Sequence, residues 1–146
     1  MLSELLLAMT VGVALVVFTV FIHYEALRVL WERAPTLAIR NRAKVLVIVF
    51  GTFVAHTLEI WCYAVAFYVV DKWSHVALFG GHWEENFLGY LYFSTVSYTS
   101  LGLGDMYPIG PLRLITGIEA LNGLVLIAWT ASFTYLSLER FWSKNK

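Results

Sequence analysis

Three long apolar blocks dominate this chain, and none shows the strict alternation of a half-buried strand. Leu5 to Ile22 holds no charged residue, Val45 to Val70 carries His56 and Glu59, and Leu114 to Leu138 carries Glu119 and Asn122. Each block can cross a hydrocarbon layer of about 30 Å, which takes roughly 20 residues of helix. Pro35 and Thr36 end the first helix near Ala34, and a second begins soon after. Between the second and third blocks the pattern changes twice. "DKWSHVALFGGH", 71–82, is polar and Gly-containing and predicts an external loop. "WEENFLGYLYFSTVSYTS", 83–100, is too short and polar to span, but it opens on acids, which a helix N-terminus favours. Phe87, Leu91, Ser94 and Tyr98 recur in it at helical spacing. A helix of about 12 residues that dips in and returns is therefore expected. "TSLGLGDMYP", 99–108, then sets irregular backbone between apolar segments, and Gly110 and Pro111 turn the chain into the third block.

Composition agrees with a membrane protein. Hydrophobic residues make up 60% of the 146 positions and charged ones 14%. A soluble domain of this size has no core large enough to hide that surface. Ten basic and ten acidic residues cancel, so nothing draws the chain to nucleic acid. Cys62 stands alone in an apolar run and reads as a small buried hydrophobe without a disulfide partner. The first block lacks a basic leader and a small-residue cleavage site, so it reads as a retained helix. Arg28, Arg33, Arg40, Arg42 and Lys44 crowd the first link, and Arg140, Lys144 and Lys146 the tail; Lys72 and Arg113 are alone between spans two and three. The positive-inside rule then sets the first link and C-terminus in the cytoplasm and the N-terminus outside, in a multi-pass protein of the plasma membrane. Trp31, Trp73, Trp83, Tyr107 and Trp142 near the ends suit an interfacial belt. Nothing after Phe141 is long enough for a cytoplasmic domain.

Bare backbone at membrane depth survives only when buried in protein or lining a water-filled path. Gly102 and Gly104 alternate with leucines in "SLGLG". Glycine reaches backbone regions that other residues avoid, and alternating handedness turns successive carbonyls to one side. Four such loops would stack rings of oxygen able to replace the water around a cation. The preceding short helix would aim its partly negative C-terminal end at the same place.

"STVSYTSLGLGDMYP", flanked by an outer and an inner helix, resembles the pore module of the tetrameric potassium channels, in the character of small prokaryotic members with a two-helix pore. The resemblance implies a pore module over 45–140: outer helix 45–70, outer loop 71–86, pore helix 87–99, filter 100–104 and inner helix 112–140. A first helix with a cytoplasmic extension (1–34), a basic link (35–44) and a short tail (141–146) lie outside it. It implies an all-α membrane protein of three transmembrane helices plus a re-entrant pore helix, assembled as a four-fold symmetric homotetramer in lipid. Ser100, Leu101, Gly102, Leu103 and Gly104 take the five filter positions. The carbonyls of Ser100, Leu101, Gly102 and Leu103, with the Ser100 hydroxyl, would hold potassium ions, and no other cofactor is implied. Asp105 takes the acidic place after the filter, with Thr99, Tyr92 and Phe93 supporting it, and Gly123 the place where inner helices bend to open. Arg113 fits a basic position at the head of that helix. The family usually has threonine at Ser100 and an aromatic at Leu103. Leucine forms no hydrogen bond behind the filter and would be braced by Tyr92 and Phe93 through packing alone. The expected activity is passive potassium conduction, with a weakly selective monovalent cation pore as the alternative.

"GLGD" also resembles the motif of intramembrane aspartyl proteases, whose chemistry needs two carboxylates at one site. Asp71, at the far end of the second span, is the other aspartate, and the further motifs of those enzymes are missing, so a non-enzyme is expected. His56 and Glu59, three apart on one face, read as an internally satisfied pair or as a proton or metal sensor. Glu119 and Asn122 either line the cavity or bond the pore helix from behind. His75 and His82 are read as solvated, with a divalent-ion site alongside Glu84 and Glu85 as the loosely spaced alternative, and His23 and Glu25 are read as interfacial.

Overall fold

In the computed structural model, residues 2–73 and 78–142 are described; His75, Lys144 and Lys146 lie outside them. The order is α1 (Leu2–Arg33), a 3₁₀ turn (Ala34–Thr36), α2 (Asn41–Trp73), β1 (Phe79–Gly81), α3 (Phe87–Tyr98), β2 (Met106–Pro108) and α4 (Leu112–Trp142). The expected all-α class holds, and α1, α2 and α4 are long and apolar enough to cross a membrane. At 1.5 Å per residue, helices of 31–33 residues reach roughly 45–50 Å, beyond the hydrocarbon alone. Helix α1 runs past Ile22, where the apolar block ends, to Arg33, close to the end expected from Pro35 and Thr36.

Local chemistry sets the ends. Pro35 sits where its missing N–H is harmless at the start of the 3₁₀ turn, and the Thr36 hydroxyl bonds the Arg33 carbonyl at 2.8 Å. Asn86 caps α3, its side chain accepting from the Gly89 N–H at 3.0 Å. Arg140 lies 4.2 Å from the Trp31 ring and donates to the Trp31 carbonyl, so it fastens the last turn of α4 to α1.

Two apolar clusters occupy the ends of the bundle. Around α3, the rings of Phe67, Phe79, Phe93 and Tyr90 meet edge to face, with Tyr63, Leu112 and Ile115 beside them. Near the other end, Leu27, Ile48, Phe133 and Phe141 close the bundle. Between them lies a buried polar layer: Thr19 and His23 from α1, Glu59 from α2, Ser94 from α3, and Glu119 and Asn122 from α4. The outer segment, expected as plain loop, carries a short antiparallel ribbon pairing β1 with β2. His82 N–H bonds the Asp105 carbonyl at 2.9 Å and Ile109 N–H the Leu78 carbonyl at 2.7 Å. That ribbon pins the exit of the glycine-containing loop.

Candidate functional site

Helix α3 ends in a Schellman motif that opens directly into the loop. The Ser100 N–H bonds the Ser97 carbonyl and the Leu101 N–H the Val96 carbonyl, both at 2.9 Å. Ser100 adopts φ 58°, the left-handed conformation this cap needs and usually gives to glycine. Gly102 follows at φ 53° and Gly104 at φ 82°, while the intervening leucines keep negative φ. Handedness thus alternates along Ser100–Gly104. A Cβ placed on Gly102 or Gly104 would meet only open space. Leu101 and Leu103 are 63% and 60% exposed in the single chain. The Ser100 hydroxyl takes no hydrogen bond among the described residues.

The flanking residues take different partners. Tyr92 donates to Asp105 Oδ2 at 2.7 Å, which holds that carboxyl below the usual carboxylate range. Phe93 turns the other way, into the ring cluster with Phe67 and Phe79, because its position on α3 faces α2. The Thr99 hydroxyl bonds back to the Thr95 carbonyl at 2.8 Å. Arg113 donates to the Pro108 carbonyl at 3.1 Å and steadies the turn into α4. The two aspartates are held by different tyrosines: Asp105 by Tyr92, and Asp71 by Tyr90 at 2.6 Å.

Behind the loop, Gly123 lies directly under the Tyr98 carbonyl, so close that any Cβ there would collide with it. Glu119 takes the second of its two readings: Ser94 on α3 donates to it from 2.5 Å. Asn122 also points into the bundle, donating to Thr19 at 2.8 Å and Tyr63 at 3.2 Å. His56 and Glu59 are 3.1 Å apart and belong to a larger group. The expectation that His23 lies at the interface is corrected: it is fully buried, with Nδ1 2.8 Å from Glu59 Oε1. Tyr98 donates to Glu59 Oε2, and Thr130 faces both histidine Nε2 atoms. From sequence His23 is placed at the interface and Tyr98 counts only in the repeat of the short helix, while nothing singles out Thr130. The helix is expected to run on to about Ala34 and does so to Arg33, but a histidine just past the end of the apolar block carries no sign of the partners on α2 and α4 that bury it.

The model of the ion channel family matches residues 42–139, well over half of the chain. No curated protein and no solved structure matches it.

Proposed function

This chain belongs to the ion channel family, and we propose that four copies surround one axis and conduct potassium through the backbone oxygens of Ser100, Leu101, Gly102 and Leu103. The observation that carries this reading is the alternation of positive φ at Ser100, Gly102 and Gly104 immediately after the cap of α3. Alternating handedness directs successive carbonyls to one side, and the open side of both glycines leaves room for strands of other copies. Rings of such oxygens replace the hydration shell of a cation. The Ser100 hydroxyl adds a fifth oxygen at the inner end, and the negative end of the α3 dipole favours a cation there. Asp105, ionised and held by Tyr92, gathers cations at the outer mouth. Gly123 lets α4 approach the end of α3 and is the place where α4 would bend. Charge distribution supports a plasma-membrane orientation with the N-terminus outside and the C-terminus in the cytoplasm.

A second reading, a weakly selective monovalent cation pore, draws on Leu103. Its side chain lies open in the chain, and the Tyr92 hydroxyl behind the loop is engaged by Asp105. Native mass spectrometry and reversal potentials of protein in liposomes decide the matter. Four copies and a reversal potential near the potassium value under a potassium/sodium gradient support the first reading. A value near zero supports the second, and a monomer without flux overturns both.

A further inference from the structure

We propose that His23, His56 and Glu59 form a site for one zinc-type divalent metal ion where all four helices meet, with the Tyr98 phenolic oxygen at its fourth corner. Both imidazoles turn Nδ1 to the Glu59 carboxylate, at 2.8 Å for His23 and 3.1 Å for His56. Both turn Nε2 to the single Thr130 hydroxyl, at 3.3 and 2.9 Å. Tyr98 Oη is 2.8 Å from His56 Nδ1 and also bonds Glu59.

Counting hydrogens shows what this arrangement lacks. A neutral imidazole has one N–H, a hydroxyl has one hydrogen, and a carboxylate only accepts. If His23 donates from Nδ1 to Glu59, its Nε2 takes the Thr130 hydrogen. His56 must then donate from Nε2 to Thr130. Its Nδ1 lone pair is left facing a carboxylate oxygen, and the one Tyr98 hydrogen cannot serve both. One more positive charge, carried by a proton or by a metal ion, completes the count.

A metal ion fits that place on three counts. With both Nδ1 atoms on the ion, both histidines carry their hydrogen on Nε2, and the two lone pairs of Thr130 Oγ1 receive both. The ligand atoms already lie within 4.8 Å of one another. Bonds of about 2.0–2.2 Å in a tetrahedron place ligands roughly 3.4 Å apart, a short adjustment of side chains. Two imidazole nitrogens and a carboxylate are also a transition-metal donor set, whereas magnesium and calcium take oxygen. A single proton, on His56 or on Glu59, closes the same count without a metal, and the titration below separates the two. In the single chain His23 and Glu59 are sealed, and His56 is 16% exposed.

The bound ion would join α1, outside the matched residues 42–139, to Tyr98, which closes α3 two positions before Ser100. Occupancy would thereby stiffen the base of the loop.

Co²⁺, whose visible absorption reports tetrahedral coordination, is the probe, titrated into the assembled full-length protein in detergent. One Co²⁺ per chain is expected, with a tetrahedral spectrum displaced by Zn²⁺, lost in His23→Ala and Glu59→Gln and unchanged in His82→Ala. Thr130→Ala, which removes one hydroxyl and leaves the packing, should weaken affinity roughly 10–100-fold. The proposal is overturned by no tetrahedral spectrum in the wild type, by an unaltered spectrum in Glu59→Gln, by unaltered affinity in Thr130→Ala, or by proton uptake with no metal bound. The readout is the metal itself, so the result stands apart from whether the pore selects potassium.

Discussion

Ser100 is the one non-glycine residue with positive φ among those described, at 58°. An L-residue in that region costs roughly 1–2 kcal/mol that glycine avoids. The chain accepts this cost at the position whose hydroxyl faces the proposed ion path. Ser100→Gly should therefore raise the thermal unfolding temperature, by a gain of about 1 kcal/mol, while lowering potassium conductance; unfolding in detergent and liposome flux read the two effects separately. The glycine alternation of "SLGLG" was legible in sequence because glycine announces its own backbone freedom. The strained serine was not, since nothing in a serine marks the left-handed region. Nor was the Tyr92–Asp105 bond, which joins residues 13 apart only because the β1–β2 ribbon fixes the loop's exit. That bond lowers the Asp105 titration, so its stabilisation is present above the ordinary aspartate value and lost as pH falls through the lowered one. Between pH 7 and 5 the Asp105 contribution to flux should be constant, and it should fade only below about pH 4. In Tyr92→Phe the loss should begin at higher pH, which carboxyl NMR titration and pH-dependent flux both measure.

At the scale of elements, α4 comes close against the end of α3 where Gly123 meets the Tyr98 carbonyl. A pure bending point and a packing contact make opposite predictions for Gly123→Ala. Alanine in a helix interior is favoured over glycine by about 1 kcal/mol, so a bending point alone would gain stability. A Cβ pressed on a backbone carbonyl costs about 1–3 kcal/mol instead. We expect the second outcome: Gly123→Ala should lower the thermal unfolding temperature as well as reduce conduction. Sequence spacing showed that Glu119, Asn122 and Gly123 share a region of α4, but helical periodicity names a face without naming what it meets. The partners Ser94, Thr19 and Tyr63 come from three other helices, and their packing sets these polar side chains inside the bundle. The ribbon escaped for a different reason. Strands of three residues carry no readable alternation, and their pairing is fixed by loops on both sides.

For the whole molecule, the question is why α1 is there, since the family match begins at residue 42. From sequence the first block reads only as a retained helix, with nothing to say what it packs against. The structure makes it part of the polar layer: Thr19 accepts from Asn122 at 2.8 Å, and His23 reaches Glu59 at 2.8 Å. Leu27 packs in the apolar cluster with Ile48 and Phe133, and Trp31 carries Arg140. Removing α1 would leave Asn122 and Glu59 short of partners inside the bundle, at about 1–3 kcal/mol for each buried group left unsatisfied. Lipid offers no hydrogen bonds in exchange. A chain starting at residue 38 should thus lose thermal stability in detergent, and fusing an unrelated apolar helix in place of α1 should restore insertion but not stability. Adding Asn122→Leu to the shortened chain should recover part of the loss, because leucine needs no partner. If the shortened chain unfolds at the same temperature as the full one, α1 is an anchor and the polar layer does not depend on it.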